Sequence, residues 1–86
     1  MQDDIKARIR KVLGRKLRDI DVGAIADEAL LIEYGVGADS VATLELLVAL
    51  EGEFGVSIDE SAVTLAELES VSAMAGFIAK LLERGG

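Results

Sequence analysis

Apolar residues recur at helical spacing in three stretches of this chain and alternate in strand fashion in none, so the sequence can build helices but offers no sheet. Ile5, Ile9, Val12, Leu13 and Leu17 fall at i, i+4, i+7, i+8 and i+12 and predict a first helix over Asp3–Leu17. Asp3 and Asp4 suit its positive end, Lys16 and Arg18 its negative end, and Gly14 weakens it modestly. Leu44, Leu47, Leu50 and Phe54, with Leu46 beside them, predict a second helix over Ser40–Phe54, capped by Asp39 or Ser40 and ended by Gly55. Val71, Met74, Ile78, Leu81 and Leu82, with Phe77 alongside, predict a last helix from a Ser70 or Ser72 cap to about Glu83, before a frayed Gly85-Gly86.

The connections are less regular. Residues 18–39 hold Gly23, Gly35 and Gly37, yet Ile20, Val22, Ile25, Leu30, Leu31 and Ile32 make them too apolar for a free linker. A packed loop is expected, with a short helical turn near Ala24–Ala29. Ser57-x-x-Glu60 and Thr64-x-x-Glu67 both have capping-box spacing and predict one or two short turns between Asp59 and Leu68. The expected fold is all-α: a small four-helix bundle, three main helices plus one short helix, with a long first loop, in one domain over residues 1–86.

Composition removes most chemistry. The chain of 86 residues has no Cys and no His, which excludes disulfides, thiolate nucleophiles and the commonest general base and metal ligand. Gly35-x-Gly37 lacks the further Gly of a dinucleotide loop, there is no P-loop Lys, and no Asp-x-Asp-x-Asp-Gly run offers a calcium loop. An enzyme in its own right is not expected. No stretch approaches the roughly 20 apolar residues of a membrane span, and Met1–Lys11 has no apolar leader, so the expected location is cytoplasmic.

Charge is segregated. Residues 1–18 carry seven cations against two acids, net +5, and residues 19–86 carry fourteen acids against Lys80 and Arg84, net −12. Between Asp27 and Glu69 stand eleven acids and no base. Such a surface repels nucleic acid and attracts basic patches on protein partners. The basic segment surrounds an apolar stripe, which fits a solvated helix face better than a nucleic-acid arm.

The informative stretch is Gly37-Ala38-Asp39-Ser40-Val41, where a Gly-containing loop becomes a helix. Ser40 can be an ordinary N-cap. It can equally be an attachment point for a phosphorylated group, because free N–H groups and the positive dipole end of a helix favour a phosphodiester there. The spacing leaves both open. Beyond it, Val41 and Val48 share a face outside the Leu44, Leu47, Leu50 stripe, near Glu45, Glu51 and Glu53. Exposed small apolar residues ringed by acids make a docking surface for basic partner patches. Leu46, Leu47, Val63, Leu65, Met74 and Ile78 are candidates for an apolar groove as well as for the core.

The run Leu31–Gly55, with Gly37-x-Asp39-Ser40 followed by Glu45-Leu46 and Leu50-Glu51-x-x-Phe54, closely resembles the central segment of acyl carrier proteins. The likeness extends more weakly to Ile9–Leu17, Val56–Asp59 and Ser70-Val71. It implies a bundle of three long helices and one short one. It also implies that a phosphopantetheinyl transferase moves 4′-phosphopantetheine from coenzyme A to Ser40, with Gly37 and Asp39 as motif context, and that the thiol of the arm carries acyl groups as thioesters. That would explain a carrier without Cys. The implied partners are that transferase and acyl-transfer, condensing or acyl-activating enzymes with basic docking patches, and the implied state is a monomer without nucleic acid. On the same pattern, the resemblance implies that Asp39 serves the transferase or its metal ion.

Departures accompany the likeness. Val41 stands where the family usually has Leu, Ala42 where many members have an acid, Gly52 interrupts the acidic end of the helix, and the usual Pro after Ile58 is missing. With the basic first helix they suggest a specialised carrier for a lipid or polyketide rather than a housekeeping fatty acid carrier. An aminoacyl or D-alanyl carrier, and an unmodified helical protein-interaction domain, are the alternatives.

Overall fold

In the computed structural model, which describes residues 2–84, the first stripe forms helix α1 (Gln2–Lys16) and buries Ile5, Ile9, Val12 and Leu13. The other helices are α2 (Ser40–Phe54), α3 (Leu65–Leu68) and α4 (Val71–Glu83), and no strand occurs among the described residues. The fold is the small all-helical bundle expected. No helix among the described residues is long and apolar enough to cross a membrane. Gly85-Gly86, predicted as a frayed end, lie outside the described residues.

Local chemistry sets the helix limits. The Asp39 carboxylate accepts from the N–H groups of Val41 and Ala42 at the start of α2, and Gly55 closes it with φ +65°, a backbone region that costs a side-chain-bearing residue energy. Ser70, not Ser72, caps α4: its hydroxyl accepts from the Ala73 N–H at 3.0 Å. Thr64 and Glu67 form the capping box of α3, with the Thr64 N–H donating to the Glu67 carboxylate at 2.9 Å. The Ser57-x-x-Glu60 spacing opens no helix. There Asp59 takes control of the turn, accepting from the Ser61 N–H at 3.1 Å and from its hydroxyl at 2.6 Å.

The core joins α1 to α4 and α2. Leu46, Leu47, Leu50 and Phe54 of α2 and Val71, Met74, Ala75 and Ile78 of α4 belong to one buried cluster with the α1 stripe. Three stripe members predicted from spacing lie outside the core: Leu17 is half-buried, Leu44 is 42% exposed and Leu82 41% exposed. The reason for Leu44 is that α2 is apolar on two sides. The sequence stripe took one set of leucines, whereas packing turns positions 46, 47, 50 and 54 inward.

The long connection is a packed loop, but its turns are placed differently from Ala24–Ala29. Two 3₁₀ turns occupy Val22–Ala24 and Leu31–Tyr34. Ile25 and Leu31 are buried in the core. The Leu31 N–H donates to the Glu69 carbonyl at 2.8 Å, and the Ser72 N–H, an orphan donor in the first turn of α4, donates to the Asp27 carbonyl at 2.9 Å.

The basic face of α1 acquires a structural role here. Lys6 and Arg10 bind the Asp27 carboxylate at 3.0 and 2.8 Å, and Arg10 also donates to the carbonyls of Val22 and Ile25. Arg8, Lys11 and Arg15 converge on Glu53 at 3.0, 3.7 and 3.7 Å, and the Arg8 guanidinium lies 4.4 Å from the centre of the Phe54 ring. These cations fasten the acidic loop and the C-terminal end of α2 to α1.

Candidate functional site

The site is built at the N-terminus of α2. Gly37 has φ +83°, which only glycine adopts without strain, and it turns the chain from the Leu31–Tyr34 turn into the helix. Asp39 follows in extended conformation, and its carboxylate accepts from the N–H groups of Val41 and Ala42 at 2.8 and 3.4 Å. The Asp39 carbonyl accepts from the Thr43 N–H and hydroxyl at 2.9 and 2.8 Å. Asp39 therefore does the capping, and Ser40 is not the N-cap. Ser40 is the first residue of the helix and is exposed. Its hydroxyl sits at the positive end of a 15-residue helix, where an attached anion is favoured.

One recess is lined by Ser40, a second lies on the α1 side of Gly37, and an apolar strip of α2 is exposed beside them. On the α3 side a groove of about 460 Å³ is lined by Ser40, Thr43, Leu44, Leu47, Ser61 and Leu65, with Gly37 and Glu60 at its edges. On the α1 side a cleft of about 260 Å³ lies between Leu13, Lys16 and Leu17 and residues Gly37, Ala42, Glu45 and Leu46. The strip is Val41, Leu44 and Val48, spaced i, i+3 and i+7, with Val41 67% and Val48 60% exposed. Lys16, Glu45 and Ala49 border it.

The remaining candidates divide. Glu45 is exposed beside the strip. Glu51 is half-buried and its carboxylate accepts from the Ile58 N–H at 2.7 Å, holding the segment after α2. The Glu53 side chain is 11% exposed and faces three cations of α1. Hydrogen bonding from Arg8, aided by the charges of Lys11, Arg8 and Arg15, holds its carboxyl below the usual range. Glu51 and Glu53 thus face the protein's own groups rather than a free acidic surface.

The six groove candidates also part. Leu47 and the exposed Leu65 line the groove beside Ser40. Leu46, Met74 and Ile78 are core residues, and Val63 lines a separate recess with Phe77 and Leu81. Sequence reasoning missed Leu44, Thr43, Glu60 and Ser61. For Leu44 the signal was present in its spacing between Val41 and Val48. For Glu60 and Ser61 none was, because a loop some twenty residues away brings them in.

A phosphopantetheine arm suits these residues: an exposed hydroxyl that the helix cap does not require, and an open groove beside it with hydroxyls at Thr43 and Ser61 and apolar walls at Leu44, Leu47 and Leu65. Comparison with known proteins bears on the same point. Residues 3–78 match the family described as phosphopantetheine attachment site. An acyl carrier protein of Desulforapulum autotrophicum is 34% identical over 56 residues, covering 65% of this chain and 71% of that protein.

Proposed function

The chain belongs to the phosphopantetheine attachment family, and from that premise we propose that Ser40 is the residue that receives 4′-phosphopantetheine and that residues 1–86 act as one carrier domain. Membership makes it a carrier that bears a cofactor, not an enzyme, and implies a phosphopantetheinyl transferase and client enzymes as partners. When bound, the cofactor supplies a thiol on a flexible arm that holds acyl groups as thioesters. The chain's own residues do three things. Asp39 closes the start of α2 and so leaves the Ser40 hydroxyl free for the transferase. The positive end of the α2 dipole favours the phosphodiester that results. Leu47 and Leu65 offer the arm and its cargo an apolar wall beside the attachment point.

The docking surface in this reading is the Val41, Leu44, Val48 strip with Asp39 and Glu45, which fits partner patches that are apolar at the centre and basic at the rim. The cargo is acyl, in a fatty acid, lipid or polyketide pathway, and the departures at Val41, Ala42 and Gly52 favour a specialised carrier. A cytoplasmic monomer is the proposed working state. The observation that carries the reading is the exposed Ser40 beside an Asp39 cap. Incubation with coenzyme A, magnesium and a broad-specificity transferase, followed by intact mass, tests it. A gain of one phosphopantetheine on the wild type and none on Ser40→Ala is expected. No gain on folded, unmodified wild type would leave the unmodified interaction domain.

A further inference from the structure

Seven basic residues lie between Lys6 and Arg18. Lys6, Arg8, Arg10, Lys11 and Arg15 are all engaged by Asp27 or Glu53. Lys16 makes none of those ion pairs, although it closes the same helix. It is exposed, and it lines both the cleft beside Gly37, Ala42 and Glu45 and the border of the Val41, Leu44, Val48 strip. The surface around Ser40 is therefore not uniformly acidic. Its α3 side carries Glu60, its start carries Asp39, and its α1 side carries a cation next to Glu45.

Resting on the docking role proposed above, we propose that Lys16 is a partner-selecting residue: this face fits a protein surface with an apolar centre, basic groups toward Asp39, Glu45 and Glu60, and an acidic group against Lys16. Charge complementarity carries the assignment. A wholly basic patch would meet the exposed Lys16 as a like charge, and like-charge contacts suppress wrong partners. The basic end of α1 then discriminates against partners built for uniformly acidic carriers, while its inner cations hold the fold.

The test uses a broad-specificity phosphopantetheinyl transferase with a wholly basic docking patch, and reads kcat/KM by mass at low and high salt. Against that enzyme Lys16→Gln is expected to be modified about threefold faster than wild type and Lys16→Glu about tenfold faster, as fits removal and reversal of one charge at a solvated contact. The gain should shrink at high salt. Replacing the patch cations of the transferase with Glu one at a time should yield one variant that prefers wild type over Lys16→Glu. Equal rates for all three chains, or no transferase variant that reverses the order, overturns the proposal while leaving Ser40 attachment standing. If no chain gains mass, the carrier reading falls and this proposal with it. Unchanged melting temperatures verify that the exposed Lys16 variants are folded.

Discussion

Leu44 and Leu46 are two residues apart on α2, and the structure gives them opposite duties. Leu46 is 4% exposed within the core and Leu44 42% exposed on the strip. Replacing Leu46 by Ala removes buried methyl groups and leaves a void, which costs about 2–5 kcal/mol. Leu44→Ala leaves no enclosed void. Full burial of a Leu side chain stabilises by roughly 1.5–3 kcal/mol, so a side chain this exposed contributes about 1 kcal/mol. A chain of 86 residues has a total stability of roughly 4–13 kcal/mol, so Leu46→Ala removes a large share of it. At about 4–8 °C per kcal/mol for a domain of this size, Leu46→Ala should lower Tm by about 8 °C or more and Leu44→Ala by about 5 °C. Denaturant and thermal melts followed by circular dichroism measure both. Leu44→Ala, though folded, should also lower the kcat/KM of phosphopantetheinylation, because it removes the middle of the proposed docking strip. Equal destabilisation by the two substitutions would refute the rotation of α2 on which the strip depends.

Other consequences are as direct. Asp39→Ala should cost about 1 kcal/mol by removing the cap of α2, while Asp39→Asn should keep most of it, and Ser40→Ala should leave the melt within about 0.5 kcal/mol of wild type; a Ser40→Ala variant as unstable as Asp39→Ala would show that Ser40 is the cap. The Glu53 carboxyl is held below its ordinary value of 4.5 by the Arg8 hydrogen bond and neighbouring cations, so its contribution is complete above that value and lost as pH falls through the lowered one. Glu53→Gln should therefore melt below wild type at pH 7, and the gap should close on acidification below the ordinary value; a gap unchanged in acid would contradict the assignment. Asp27, lowered by hydrogen bonds from Lys6 and Arg10, should behave alike. Partner binding at Asp39 and Glu45 should weaken as salt rises, since exposed charges are screened over roughly 10 Å at ~0.1 M, and a salt-independent Kd would remove the acidic docking surface.

The parts readable from the sequence were those with local causes. The bounds of α1, α2 and α4 follow from periodicity and from caps within one turn, and α3 from the Thr64 and Glu67 capping box. Gly37, Asp39 and Ser40 stand together because they are neighbours in the chain. What spacing did not supply is tertiary. Asp and Ser both cap helices, so only the fold shows that Asp39 does so and Ser40 does not. Glu53 pairs with Arg8 across 45 residues and Asp27 with Lys6 across 21, so the acids of α2 and the basic face of α1 looked like two solvated surfaces until packing joined them. Ser57-x-x-Glu60 matched a capping box whose place Asp59 took. Leu44 was misassigned because a helix apolar on two sides has no single stripe.

The central claim is that the Ser40 hydroxyl, left free by its neighbour's cap, is the attachment point. Fragmentation mass spectrometry of the transferase-treated wild type locates the added group to a residue. Phosphopantetheine is expected on Ser40 alone. The same mass found on Thr43 or on Ser61, whose hydroxyls line the same groove, would contradict it.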